Sequence, residues 1–225
     1  MNEENERELM MEDEKVSLVQ KIKWYIVKPS RFFEEFKKNP KALIHFIMIT
    51  ILSAITAMIT NSKTDEIKNQ ALEGLSGEEL EITENIVGFF SSPVFVILGA
   101  VLILGLTYLI SAFFRYVFIK LFKGEGKFKE MFAVVIVASY PVSIAGLIQS
   151  LFLNPSADTT TMDSILSVVN IWSIWQLVLL IIGIKVMFNL SMKKSLIINV
   201  GIFIVTTLFT VGSAMINSNL SNMVQ

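Results

Sequence analysis

Five long apolar blocks, nearly free of charge, constrain this chain more than any other feature. They run over 42–60, 93–114, 131–153, 165–184 and 196–215. A hydrocarbon core about 30 Å thick is crossed by roughly 20 apolar residues in a helix. Lipid offers no partner to an open backbone, so helices are the expected form. The blocks are continuously apolar and do not alternate at every second residue, which argues against a transmembrane β-barrel. The expected fold is therefore an all-α membrane protein, a bundle of five transmembrane helices. Composition agrees: 53% of the 225 residues are hydrophobic and 17% charged, where soluble domains carry about 25% charge. An ordinary soluble enzyme, a disordered chain and a disulfide scaffold are all excluded; there are no cysteines.

Lysine and arginine placement gives an expected topology. Nine basic residues precede the first block, from Arg7 to Lys41. The 115–130 connection holds Arg115, Lys120, Lys123, Lys127 and Lys129, and the connection after the fourth block holds Lys185, Lys193 and Lys194. The alternate connections hold only Lys63 and Lys68. The positive-inside rule puts the N-terminus in the cytoplasm, the C-terminus outside, and the protein in the cell membrane as a multi-pass chain. No cleavable signal peptide is expected, because the first fourteen residues are acidic and lack an apolar region.

Outside the blocks the chain divides into an acidic mobile tail (1–15), a basic-aromatic cytoplasmic segment (16–41), an acidic extracytoplasmic helical loop (61–92) and an outer tail (216–225). In the 16–41 segment Pro29 is expected to break a helix and Ser30 to cap a second one. Rings beside lysines suit a helix lying on an anionic leaflet. Lys21, Lys23, Trp24, Arg31, Phe32 and Phe33 are the candidate lipid-surface residues, with packing beneath the bundle as the alternative for individual rings. Ser76 and Glu79 match a capping box for a helix running toward Phe90, and Ser92-Pro93 matches a helix start.

The inventory for catalysis is thin. One histidine, His45, lies near the start of the first block, with Lys41 as its only conceivable partner, and no acid lies inside any block. No metal-ligand or nucleophile motif occurs, and no cofactor is expected. Gly124-Glu125-Gly126 reads as a turn that returns the chain to the membrane. The interior holds uncharged polar groups instead, among them Thr50, Ser53 and Thr56. Thr107, Ser111, Tyr140, Pro141, Ser143, Asn170 and Gln176 are the candidate intramembrane polar and packing residues. They would bond between helices or line a cavity. Pro141 is expected to kink the third span near Tyr140.

Several segments together resemble a known family. They are Pro29-Ser30-Arg31-Phe32-Phe33, Gly124-Glu125-Gly126-Lys127-Phe128-Lys129, Ser139-Tyr140-Pro141, and Trp172 and Trp175 with Ile181-Ile182-Gly183. The chain resembles the bacterial branch of the Yip family, five-pass proteins related to the eukaryotic Ypt/Rab-interacting membrane proteins. It lacks their D-L-Y-G-P segment. The resemblance implies an adaptor without catalysis, working beside other membrane machines, including exporters of the ABC type. The expected function is a non-enzymatic adaptor or assembly subunit of a membrane complex. Its partners would be membrane lipids and other membrane proteins or further copies of itself, and not nucleic acid. A permease for a small solute or lipid is the alternative.

Overall fold

The computed structural model describes residues 16–153 and 161–224, all of whose regular structure is helical. The acidic tail over 1–15 lies outside the described residues. Two short helices come first, α1 (Leu18–Val27) and α2 (Pro29–Lys38). Ser17 caps α1 by accepting from the Gln20 N–H at 3.2 Å. Pro29 does end α1, but Ser30 does not cap α2. Pro29 itself occupies the first turn of α2, where its missing N–H removes no bond.

Helix α3 (Ala42–Ser62) is the first span. It is followed by α4 (Asp65–Leu72) and α5 (Glu78–Ser91). The helix toward Phe90 forms as expected, but Gly77, at φ +61°, is its N-cap and no side chain caps it. Glu78, Glu79 and Glu81 crowd its first turn, where carboxylates oppose the helix dipole favourably. Helix α6 (Pro93–Leu121) starts on the expected Ser92 cap and Pro93. It runs seven residues beyond the apolar block and so carries Arg115 and Lys120 inside the helix.

The third span is α7 (Phe128–Ala138) and α8 (Tyr140–Phe152), split at Ser139. The expected fourth span is also split, into α9 (Thr161–Val168) and α10 (Ile171–Met187). Asn170 is the reason. Its Oδ1 accepts from the N–H groups of Trp172 and Ser173, both at 3.0 Å, and its Nδ2 donates to Ser167 O at 2.7 Å. An asparagine that bonds its own backbone this way starts a new helix. At 17 residues α10 is about 25 Å long, less than the hydrocarbon thickness. Among the described residues four helical stretches, α3, α6, α7 with α8, and α11, are long and apolar enough to cross a membrane, and α10 is a shorter fifth. The last, α11 (Met192–Val224), continues without a break through the residues expected to be a tail.

Helix α7 is the hub, packed against α3, α6 and α10. Over the third span 56% of the most apolar stretch is buried in protein, against 11% for α3 and 6% for α6. Ala133, Val134, Ile136 and Ala138 have no exposed surface. Helix α8 packs on α3 and α10, α11 on α10, α9 and α6, and α2 on α10. Gly183 of α10 makes the α2 contact possible. A Cβ there would stand 2.8 Å from Val134 Cγ1 and 2.9 Å from Phe33 Cζ.

The basic end of the bundle is tied by lysines that donate to helix-end carbonyls. Lys37 reaches Val186 O at 3.0 Å and Asn189 Oδ1 at 2.9 Å, and Lys194 reaches Phe122 O at 3.0 Å. Asn189 in turn donates to Glu125 Oε2 at 2.7 Å. The Gly124–Gly126 turn is held against this group. Gly126 sits at φ +100°, and a Cβ on it would lie 2.9 Å from the Phe188 ring.

Candidate functional site

Pro141 organises the centre of the molecule. It has no N–H, so the carbonyl four residues back, Val137 O, has no donor within the helix. Val137 is 1% exposed, and water cannot reach an orphan carbonyl there. The donor comes from α1: the Tyr25 hydroxyl donates to Val137 O at 2.9 Å. Burial, and secondarily the field of Tyr140, push the Tyr25 phenol well above its ordinary value, so it stays protonated and able to donate. Just before the proline, Ser139 N–H bonds Ile136 O at 3.1 Å in a tightened turn. The Ser139 hydroxyl donates to the same carbonyl at 2.8 Å. That direction makes Tyr108 the donor in its 2.7 Å bond to Ser139 Oγ.

Around the break the rings form a closed circuit. Tyr25 meets Phe32 at 5.1 Å, Phe32 stacks on Phe36 at 5.8 Å, and Phe36 meets His45 at 5.6 Å. His45 meets Tyr140 at 5.8 Å, and Tyr140 returns to Tyr25 at 6.5 Å. Aromatic pairs at these separations are mutually stabilising, most of them here edge-to-face. The His45 Nδ1 and Tyr140 hydroxyl share a 3.0 Å hydrogen bond, and the same hydroxyl lies 3.7 Å from Met48 Sδ. Helices α1, α2, α3 and α8 are thereby clamped at one place, the opening in the third span.

A second polar group lies between α6 and α11. Arg115, 8% exposed, donates from Nε to Asn199 Oδ1 at 3.1 Å and from Nη1 to Ser111 O and Oγ at 3.1 and 2.6 Å. Asn199 is oriented by its own bond to Ser195 O at 2.9 Å, and the Ser195 hydroxyl reaches Ile181 O of α10. Among the described residues, no group of three or more His, Asp or Glu comes together in a way that could hold a metal ion.

Residues 24–214 match the family model of the Yip1 domain. The chain belongs to the Yip1-domain family. It is also 26% identical over 211 residues to the membrane protein YknW of Bacillus subtilis (strain 168), a match covering 86% of this chain and 89% of that one. No solved structure matches it. The matched Yip1 region opens inside α1 and ends inside α11, so it takes in the Tyr25 clamp as well as the bundle.

Within this Yip1 domain the sequence candidates are dispersed. Thr107 is exposed on α6, and Ser111 serves Arg115. Tyr140 serves His45, Pro141 is buried at the break, Asn170 is a cap, and Gln176 is half-buried on α10. Of these only Ser143 reaches the groove of about 460 Å³ that lies toward the acidic end, a mostly apolar hollow that it lines with Ser53, Thr56 and Thr60 of α3. One turn along α3, Thr50 Oγ1 is buried with no hydrogen bond among the described residues. His45 pairs with Tyr140, not with the exposed Lys41.

The lipid-surface candidates need a correction. Phe33 has no exposed surface and packs on Gly183; Phe32 is half-buried and Trp24 is buried. The rings turn inward because the circuit and the gap above Gly183 accept them. Arg31 covers the Trp24 ring with its guanidinium, 4.5 Å from the centroid. Lys21 is half-buried and Lys23 exposed. The outward apolar face of α1 is aliphatic: Leu18, Val19, Ile22 and Ile26 are each more than half exposed. Their near-four-residue spacing was the available signal. Arg115 was missed because it stands just past the last residue of an apolar block and reads as a loop cation.

Proposed function

We propose that this Yip1-domain protein is a non-enzymatic adaptor or assembly subunit of a membrane complex, with a multicomponent ABC-type exporter as its partner and toxin or peptide resistance as the outcome. One observation carries the reading: the buried hydroxyl, imidazole and guanidinium groups at the centre of the bundle are engaged in structural bonds. Tyr25 satisfies Val137 O, Tyr108 holds Ser139, Tyr140 holds His45, and Arg115 holds Asn199 and Ser111. A bundle fixed in this way presents surfaces. The clamp sets α1 and α2 rigidly at the basic end, with Lys23, Lys28 and Arg31 exposed beside the aliphatic face of α1. An in-plane amphipathic layer of this kind rests on an anionic leaflet while the spans meet neighbouring membrane proteins or a second copy. The basic end is cytoplasmic and the protein resides in the cell membrane, a reading supported by the lysine and arginine asymmetry.

Affinity purification from membranes in a mild detergent tests this. Exporter subunits are expected to co-purify, and a deletion strain is expected to lose tolerance to membrane-active peptides. Recovery of the protein alone, together with a deletion strain as tolerant as its parent, would overturn the reading. The groove lined by Ser53, Thr56, Thr60 and Ser143 favours one alternative, a small-solute or lipid permease. Purified protein would then move solute or lipid in liposomes unaided, and Thr56→Val would change the rate without changing the yield.

A further inference from the structure

Arg115 is a buried cation whose protein partners are all uncharged. The acceptors are Asn199 Oδ1, Ser111 Oγ and Ser111 O. Among the described residues the ion pairs are Lys38–Glu35 and Lys68–Asp65, and no carboxylate lies within ion-pair distance of Arg115. Its second terminal nitrogen, Nη2, makes no hydrogen bond there. A guanidinium removed from water is costly unless an opposite charge approaches it. Helices α6 and α11 contain no acid that could do so.

The surroundings fix this cation in place. The Asn199 amide is held by Ser195 O, and Ser195 is held by α10, so the acceptor presented to Nε cannot turn away. Asn199 lies five residues past Lys194, about 7.5 Å along α11. Lys194 is half-buried at the mouth of the same seam, bonded to Phe122 O at the end of α6. Arg115 stands six residues before Leu121, the last of α6, and its bonds to Ser111 hold the guanidinium one turn further from that end, within a turn of the boundary of the apolar block. An arginine with one terminal nitrogen still to donate suits a phosphate oxygen, and basic pockets between spans are places where anionic headgroups lodge.

We propose that the seam between α6 and α11 is a phosphate site built on Arg115, filled by the headgroup of an anionic phospholipid.

The test uses the full chain in phosphatidylcholine nanodiscs with increasing phosphatidylglycerol of matched acyl chains. Thermal unfolding and native mass spectrometry of retained lipid are the readouts. The wild type is expected to retain phosphatidylglycerol and to unfold at higher temperature as its fraction rises. Asn199→Asp places a carboxylate beside Arg115 within the protein. It is expected to fold, to retain at least tenfold less phosphatidylglycerol, and to lose the thermal response. Arg115→Gln is expected to lose retention likewise, and where it fails to fold, Asn199→Asp still decides. Lys193→Ala, at an exposed position, is expected to behave as wild type. Inorganic phosphate that stabilises the wild type but not Asn199→Asp in pure phosphatidylcholine upholds the site and makes its occupant a soluble phosphate. The proposal is overturned if neither phosphatidylglycerol nor phosphate changes the wild type, or if Asn199→Asp retains the lipid as the wild type does.

Discussion

Pro141 takes one donor out of the most enclosed helix, and Tyr25 returns it from a helix outside the spans, 112 residues away in sequence. Tyr25→Phe leaves Val137 O buried without a partner, so it is expected to cost about 1–3 kcal/mol, the penalty of an orphaned polar group. Pro141→Ala restores the helical donor, so the cost of Tyr25→Phe should shrink in that background. A double-mutant cycle read by tryptophan fluorescence during thermal unfolding measures the coupling; additive effects would show that Tyr25 does not stand in for the donor that Pro141 removes. The phenol also predicts a pH dependence. Its folded value lies above the ordinary 10.0, so the unfolded chain releases its proton first. Stability from this group is constant below about pH 10 and falls above it, and Tyr25→Phe should flatten that fall. The interruption beside Pro141 was legible from one residue, because proline acts on its own backbone. Tyr25 was not, because a hydroxyl on an amphipathic helix carries no mark of which distant carbonyl it will meet. Arg115 illustrates the same limit, since its burial depends on Asn199 and Ser111 and not on its neighbours in the chain.

At the level of elements, the long apolar blocks fall on helices, since burying or dissolving some twenty apolar residues in lipid leaves little freedom, but they did not mark the helix ends: α6 runs seven residues past its block and α11 continues to Val224. Interruptions inside a span were harder. Ser139-Tyr140-Pro141 announced one through proline. Asn170 did not announce the other, because an asparagine in an apolar run is equally compatible with an interhelical bond. Its two accepted N–H bonds make it a cap, so Asn170→Ala is expected to cost about 1 kcal/mol. Amide exchange should quicken at the start of α10 and leave α7 unchanged; uniform exchange across the bundle would argue against a local cap. The seating of α2 is a matter of close approach. Gly183→Ala drives a Cβ into Val134 and the Phe33 ring, and overpacking of this kind costs about 1–3 kcal/mol. Phe33→Leu, which withdraws the ring, should recover part of the loss in the double variant, and thermal unfolding of the three variants decides it.

For the whole molecule, the charge asymmetry and the fold make one joint demand. The lysine-tied end, with Lys37 and Lys194 on helix-end carbonyls and Lys120 on the Gly126 carbonyl of the turn, is expected on the membrane face that carries the clamp of α1 and α2. The acidic α5 is then expected on the other. The short α10 bears on this, because a helix of about 25 Å spans only if the bilayer thins or its flanking polar groups reach the interfaces. The absence of cysteine makes the arrangement measurable one position at a time, since any introduced thiol is unique. Ser76→Cys, Lys123→Cys and Ser191→Cys all fall at exposed positions. In intact cells a membrane-impermeant maleimide is expected to label Ser76→Cys alone, and the other two only after the membrane is opened. Labelling of Ser76→Cys and Lys123→Cys together would mean that α6 does not cross. Separate labelling of Lys123→Cys and Ser191→Cys would mean that the chain passes the bilayer an odd number of times between α7 and α10, and that the shorter helix or the split third span lies within one leaflet.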